Sequence, residues 1–200
     1  MTVELDARGL VCPQPVIKAK KALESMEKGV LKVIVDNETA RENLKKLSNS
    51  LGLKAVVKNE GQDIIVEISK DQDIAQNVEL AIDCPISELD DQVFLIQSEF
   101  LGQGSEELGN ILMKGFIFTL SETSPMPKKV MFLNSAVKLT TTNEDSVQNL
   151  KKMEEEGVEI MSCGTCLDFY GLKESLKVGK VSNMYDIVES LKGSSNSVVI

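Results

Sequence analysis

The sequence predicts an α/β protein of two domains. The first is a two-layer β-α-β-α-β-β domain, and the second is a mostly parallel three-layer α/β domain. Three observations lead there. Short β-rich runs alternate with stretches of helical periodicity, once over the first 70 residues and again, on a larger scale, after residue 92. Glycines punctuate the ends of the periodic stretches. Charge also breaks sharply between the two regions. Residues 1–70 carry 12 basic and 10 acidic groups, residues 71–91 carry seven acidic groups and no basic one, and the remainder carries 10 and 14. The middle segment therefore reads as an acidic linker, giving domains over 1–70 and 92–200, each large enough for its own core.

In the first domain, Val3 to Asp6 is a strand candidate. Val16, Ala19, Leu23 and Met26 recur at helical spacing between Pro13 and Lys28, and Gly29 closes that helix. Leu31 to Val35 is a second strand. Asp36 and Asn37 are cap candidates for a helix that ends near Leu51 and Gly52. Leu53 to Lys58 and Ile64 to Ile68 flank a turn-like Asn-Glu-Gly-Gln-Asp, which makes a hairpin. Two helices are expected on one face of four strands.

In the second domain, strands are expected over Val93 to Gln97, Lys129 to Leu133, Val158 to Met161 and Ser197 to Ile200. Helices are expected from Ser105 to about Leu120, from Ser146 to Glu156 and near Met184 to Leu191. The connections are long enough for helical crossovers, which favours parallel pairing.

Composition narrows the chemistry. A net charge of −9 argues against broad nucleic-acid binding. No apolar run approaches the length of a membrane span, and the first residues lack a secretory signal pattern, so a cytoplasmic location is expected. Histidine is absent, which removes Ser-His, Cys-His and histidine–metal sites; tryptophan is absent too. Reactive chemistry then falls to cysteine, carboxylates, lysine or backbone amides. The four cysteines, Cys12, Cys84, Cys163 and Cys166, are expected as thiols rather than as a disulfide framework.

Cys12 lies in Leu-Val-Cys-Pro-Gln-Pro between a predicted strand and a predicted helix. With Pro13 at the first helical position, the sulfur would sit beside the unpaired N–H groups and positive end of the helix, where a thiolate or a persulfide anion is stabilised. Lys18, Lys20 and Lys21 could add positive potential. A small buried cap residue is the alternative reading of the same pattern. Asp6-Ala7-Arg8-Gly9-Leu10-Val11-Cys12-Pro13-Gln14-Pro15, in its β-α-β-α-β-β setting, resembles the TusA (SirA-like) family of sulfur carriers. That resemblance implies that Cys12 receives sulfur as a persulfide and hands it to another protein.

Cys163-Gly164-Thr165-Cys166 follows a predicted strand. Such spacing brings two sulfurs within disulfide reach, with Gly164 easing the turn, and lets one thiol resolve a species held on the other. Three uses stay open: redox or sulfur transfer, half of a zinc site that would need Cys12 and Cys84 to complete it, or two idle thiols. Residues 92–200, with Ser98–Gly109 at the first strand–loop–helix junction, resemble the DsrE/F-like family of sulfur-relay proteins. The two halves together resemble the two-domain YedF family assigned to selenium metabolism. This implies that Cys12, Cys163 and Cys166 are the reacting residues.

The Gly102-Gln103-Gly104-Ser105 loop could cradle a small anion, with Ser105 as N-cap, although Glu106 and Glu107 oppose it. Packing is its default role. Asp168 and Tyr170 could shape access to the thiol pair. Lys114 and Lys138 carry no local sign of perturbation, and Cys84 in the acidic segment reads as incidental.

The expected function is therefore a sulfur or selenium carrier or transferase. It would hold a persulfide or perselenide on Cys12 and pass it to a partner or to Cys163/Cys166. A Cys-x-x-Cys oxidoreductase and a non-enzymatic regulatory protein are the rivals. No organic cofactor or metal is required. Donor and acceptor proteins are expected as partners, with no nucleic acid or membrane, and a homo-oligomer is open.

Overall fold

The computed structural model describes residues 2–61, 63–70 and 91–200, and the chain divides into two compact units, Met1–Ile82 and Asp83–Ile200. The acidic segment proposed as a linker, with Cys84, lies outside the described residues apart from Asp91.

The first unit follows the expected order: β1 (Thr2–Asp6), α1 (Gln14–Ser25), β2 (Gly29–Val35), α2 (Glu38–Ser50), β3 (Lys54–Glu60) and β4 (Asp63–Lys70). Its sheet runs β1-β2-β4-β3. The β1–β2 pair is parallel, with Val3 opposite Leu31, as the crossover through α1 requires. β4 pairs antiparallel with both β2 and β3. Alternation along β2 and β4 puts Leu31, Val33, Val35, Ile64, Val66 and Ile68 in one core with Ala19 and Leu23 of α1 and Ala40 and Leu44 of α2. Both helices thus cover one face. The opposite face mixes the apolar Ile34, Val56 and Ile65 with ion pairs, Lys32 to Glu4 at 3.2 Å and Lys58 to Glu67 at 2.7 Å.

Helix α1 stops at Ser25, a turn earlier than its periodicity suggested. Lys70 continues the inward parity of Ile64, Val66 and Ile68. Its buried ammonium donates to the carbonyls of Leu23, at 2.9 Å, and Met26. Those terminal carbonyls are satisfied by a side chain rather than by another helical turn. The chain leaves in extended conformation at Met26.

The second unit contains β5 (Gln92–Ile96), α3 (Glu106–Glu122), β6 (Lys129–Phe132), a 3₁₀ segment (Asn134–Thr140), α4 (Glu144–Glu155), β7 (Glu159–Cys163), α5 (Gly164–Phe169), β8 (Lys180–Ser182), α6 (Met184–Lys192) and β9 (Asn196–Val199). The five strands are ordered β8-β7-β6-β5-β9 and every pair is parallel. Phe94, Ile96, Val130, Phe132 and Ile160 pack with Met113 and Ile117 of α3 and Val147, Leu150 and Met153 of α4. The opposite parity, Val93, Leu95, Met131 and Met161, packs with Ile187 of α6. Three layers result, with the central strands β5, β6 and β7 buried on both sides.

The short strand β8 and the helix α5 were absent from the sequence reading. Three residues of a half-exposed edge carry no usable alternation, and six residues are too few to display a helical face. Gly179, at φ +76, leads into β8; a Cβ there would lie 2.5 Å from the Ile160 carbonyl oxygen, so only glycine allows this approach.

Candidate functional site

The loop that carries Cys12 is tied down at its base by charge. Arg8 forms a fork with Asp6, at 2.7 Å from Nη2, and reaches Asp63 with Nη1 at 2.9 Å. The Arg8 guanidinium and backbone N–H hold the Asp6 carboxyl down to about 2. The Gly9 N–H donates to Asp36 Oδ2 at 2.7 Å, where φ is +70. That bond, with the Asn37 amide, keeps the Asp36 carboxyl below its ordinary value. Of the two cap candidates, Asn37 is the cap of α2, accepting from the Ala40 N–H at 2.8 Å. Asp36 is instead an anchor for the loop.

Cys12 is exposed, so the small buried cap of the alternative reading is not what the chain builds. The Cys12–Pro13 peptide is cis. The expected cradle of unpaired helix N–H groups is also absent, which corrects the sequence reading. Pro13 and Pro15 have no N–H to offer. The Gln14 N–H is taken by the Val11 carbonyl, and those of Val16 and Ile17 by Pro13. The hydrogen bond to the sulfur comes instead from α2, where Asn43 Nδ2 donates to Cys12 Sγ at 3.6 Å. Lys20 is paired with Glu24 at 3.8 Å, down the helix.

A cavity of about 230 Å³ opens beside the thiol, lined by Leu10, Val11, Val16, Thr39, Ala40 and Asn43, among others. Val11, 71% exposed, stands at its edge. Val16, expected in the core stripe, is half-buried here, and Pro15 takes the inward position with Ala19 and Leu23. An apolar recess with one amide donor suits a soft, polarisable sulfur anion better than a strongly hydrated one.

In the second unit, β7 carries Cys163 into the sheet core at 3% exposure, where it takes the N-cap position of α5 without a side-chain bond to the helix; Cys166 lies within α5 and is half-buried. Gly164 does not make the turn foreseen for it, since it opens the helix. Its role is close approach: a Cβ would meet Val181 Cγ1 at 3.0 Å and the Ser182 carbonyl oxygen at 3.3 Å. The Asn134 N–H, from the end of β6, donates to Cys166 Sγ at 3.1 Å. Burial pushes the Cys166 thiol up; the Asn134 N–H opposes this and the adjoining Cys163 thiol adds to it. The pair sits at the carboxyl ends of β6 and β7, rather than between β5 and β9 where the strand order reverses.

Other candidates resolve simply. Ser105 caps α3 through the Leu108 N–H at 3.3 Å. The loop before it is held through Glu99, whose N–H donates to Ser135 Oγ and whose carboxylate pairs with Lys138. Lys114 pairs with Asp145 at 2.8 Å, and Asp168 with Lys173 at 3.1 Å. Tyr170 donates its hydroxyl to Asn134 Oδ1 at 2.9 Å. Asn43 and Asn134 escaped sequence reading because a lone asparagine in a helix or after a strand carries no pattern; only tertiary contact reveals it. No cluster of three His, Cys, Asp or Glu side chains suited to a metal ion, and no helix long and apolar enough to cross a membrane, occurs among the described residues.

Comparison with known proteins finds a family match in each half. Residues 3–70 match the family described as Sulfurtransferase TusA, and residues 125–199 match the DsrE/DsrF-like family. The "Putative sulfur carrier protein MJ0990" of Methanocaldococcus jannaschii is 41% identical over 58 residues, covering 28% of this chain and 77% of that protein. The "Putative sulfur carrier protein YrkI" of Bacillus subtilis is 36% identical over 62 residues, covering 30% and 83%. The crystal structure of a SirA-like protein from Desulfitobacterium hafniense is 39% identical, covering 36% of this chain and 100% of that one, with a TM-score of 0.33.

Proposed function

The chain belongs to the TusA-type sulfur-carrier family, with a DsrE/F-like unit following, and from that premise we propose that Cys12 holds a terminal sulfur or selenium atom and delivers it to a partner or to Cys163/Cys166. The observation that carries this reading is an exposed thiol beside an apolar recess, with a single amide donor on its sulfur. Such a thiol is open to large donors and acceptors, and a persulfide anion fits the recess without a dedicated cofactor. In this reading residues 1–70 form the carrier domain, 71–91 the linker and 92–200 the accepting domain. The cytoplasm, where free thiols persist, is the compartment that suits it. Selenium as cargo, in the manner of the YedF family, draws support from the pairing of the two domain types.

Transfer balances without added redox equivalents. An acceptor thiolate attacks the outer sulfur of Cys12–S–SH, a new S–S bond forms on the acceptor, and Cys12 leaves as thiolate. If Cys163 then displaces the sulfur from Cys166, hydrosulfide leaves, the pair closes as a disulfide, and an external dithiol must reduce it. The test is peptide-resolved mass spectrometry after incubation with a small-molecule persulfide donor, and separately with a small-molecule perselenide donor, whose outer atom is already at the oxidation level that Cys12 would carry. Added sulfur or selenium on Cys12, lost in Cys12→Ser, is the expected result; a chain that loads equally well without Cys12 refutes the reading.

A second reading, a dithiol oxidoreductase, is favoured by the contact between Cys163 and Cys166. It expects disulfide reduction that survives Cys12→Ser in the full chain.

A further inference from the structure

Asn134 is the one non-glycine residue among those described with a positive φ, at 52°. Left-handed backbone costs an ordinary residue roughly 1–2 kcal/mol, and asparagine bears it more readily than most. A residue is held there only if its surroundings fix it. Here the conformation starts the 3₁₀ segment directly after β6 and aims the Asn134 N–H at Cys166 Sγ, 3.1 Å away. The side chain is held in turn, because Tyr170 donates its hydroxyl to Asn134 Oδ1 at 2.9 Å. Tyr170 comes from the end of α5, the helix that carries Cys166, so one short element supplies both the sulfur and the clamp. The Lys138 ammonium lies 5.4 Å from the centre of the Tyr170 ring and is itself tied to Glu99. The two thiols differ sharply in access, since Cys163 is 3% exposed and Cys166 is half-buried.

We propose that Cys166 is the accepting sulfur of the pair, and that Asn134 and Tyr170 are positioning residues that bias it toward its anionic form through the Asn134 main-chain N–H. This deepens the carrier reading and rests on it for the identity of the incoming sulfur. The Cys166 thiolate attacks the outer sulfur of a protein-bound persulfide, R–S–SH. The donor S–S bond breaks as the new one forms, the proton stays on the transferred sulfur, and R–S⁻ departs with the electron pair. No oxidant or reductant is consumed. The N–H that meets Cys166 Sγ has its counterpart need in the thiolate alone: a carbon-bound thiol already carries its own proton and gains little from a donor. Among the described residues Tyr170 makes no hydrogen bond to the sulfur; it acts through Asn134.

The test is the rate of Cys166 alkylation by iodoacetamide in the full chain, followed against pH by fragmentation of the peptide that carries both thiols. Asn134→Ala loses the clamp and disfavours the left-handed backbone, and slows alkylation near neutral pH by about tenfold, the equivalent of one charge-assisted hydrogen bond at the weak end of its range. Asn134→Gly keeps the backbone accessible but loses the clamp, and slows it about threefold. Tyr170→Phe matches Asn134→Gly, and adds nothing to it in the double variant. In each case the whole pH profile moves to higher pH while the high-pH plateau and the Cys12 rate stay fixed, a pattern that simple loosening of the fold would not give. Unchanged profiles in Asn134→Gly and Tyr170→Phe, both chosen because they leave the backbone unstrained, overturn the proposal. So does faster alkylation at Cys163 than at Cys166 in the unmodified chain. Persulfide loading is scored separately. Shifted profiles with no sulfur ever found on Cys166 would sink the relay while leaving the positioning role standing.

Discussion

Replacing Asn43 with leucine removes the donor on Cys12 Sγ while keeping nearly the same side-chain shape. At 3.6 Å the bond is long even for sulfur, and Cys12 is exposed, so water competes for the same anion. Hydrogen bonds to charged groups contribute about 1.5–3 kcal/mol when well formed. Exposure and length put this one near or below the bottom of that range, about 1 kcal/mol, which is roughly a fivefold change in rate. Asn43→Asp is harsher, because it sets a negative charge where the donor was. Coulomb repulsion at that separation is about 1 kcal/mol in bulk water and about 4–5 kcal/mol at the effective dielectric near a protein surface. The recess is partly apolar, so the aspartate cost outranks the lost hydrogen bond. The assay is Cys12 alkylation at about pH 6.5, where thiolate is the minority form of an ordinary cysteine, together with the yield of persulfide after a fixed exposure to donor. The expected order is unmodified chain, then Asn43→Leu, then Asn43→Asp, in falling rate and falling yield. An aspartate variant as reactive as the unmodified chain would show that α2 exerts no influence on the sulfur.

Three further outcomes follow from the geometry. The Asp6 carboxyl is held at about 2 against an ordinary value near 3.8, so its contribution to stability is present above the ordinary value and lost as pH falls from there through about 2; Asp6→Asn should flatten the acid limb of the unfolding curve in that window, and added salt should shrink the difference because the pair is exposed. Gly179→Ala forces a Cβ to within 2.5 Å of the Ile160 carbonyl oxygen at a left-handed φ, and should destabilise the chain by at least about 1–2 kcal/mol in denaturant melts, with faster exchange of the β7–β8 amides. Ser162→Ala removes one side of the buried Thr140–Ser162 hydroxyl pair at 2.8 Å and should cost about 1 kcal/mol in the same melts, because Thr140 keeps its bond to the Val137 carbonyl. An unchanged melt would show that the pair adds nothing beyond packing.

Much of the architecture is written locally. Each helix of the first unit has a buried position every fourth residue, and glycine at 52 takes the positive φ that closes α2. The parallel sheet of the second unit is legible because its strands are unbroken apolar runs between amphipathic helices. Strand order, by contrast, has no local signature: β4 inserting between β2 and β3 is a consequence of which faces must be buried together. The end of α1 has no local signature, because its cap, Lys70, arrives from 44 residues away. The same holds at the sites. The place of Cys12 at a strand–helix junction could be read from the chain, but its exposure and the fate of each N–H in that turn could not. The sulfur partners Asn43 and Asn134 are brought in over 31 and 32 residues of sequence.

The two prolines flanking Gln14 have a kinetic meaning. With their nitrogens blocked and the neighbouring amides spent on carbonyls, the helix mouth exerts a field on a guest anion but does not grip it. In the carrier reading, departure from Cys12 breaks the bond to the outer sulfur, and the one hydrogen bond described on Cys12 Sγ is the long one from Asn43. In that reading, a berth of this kind would favour turnover over retention, because the main chain adds no grip of its own against the next nucleophile.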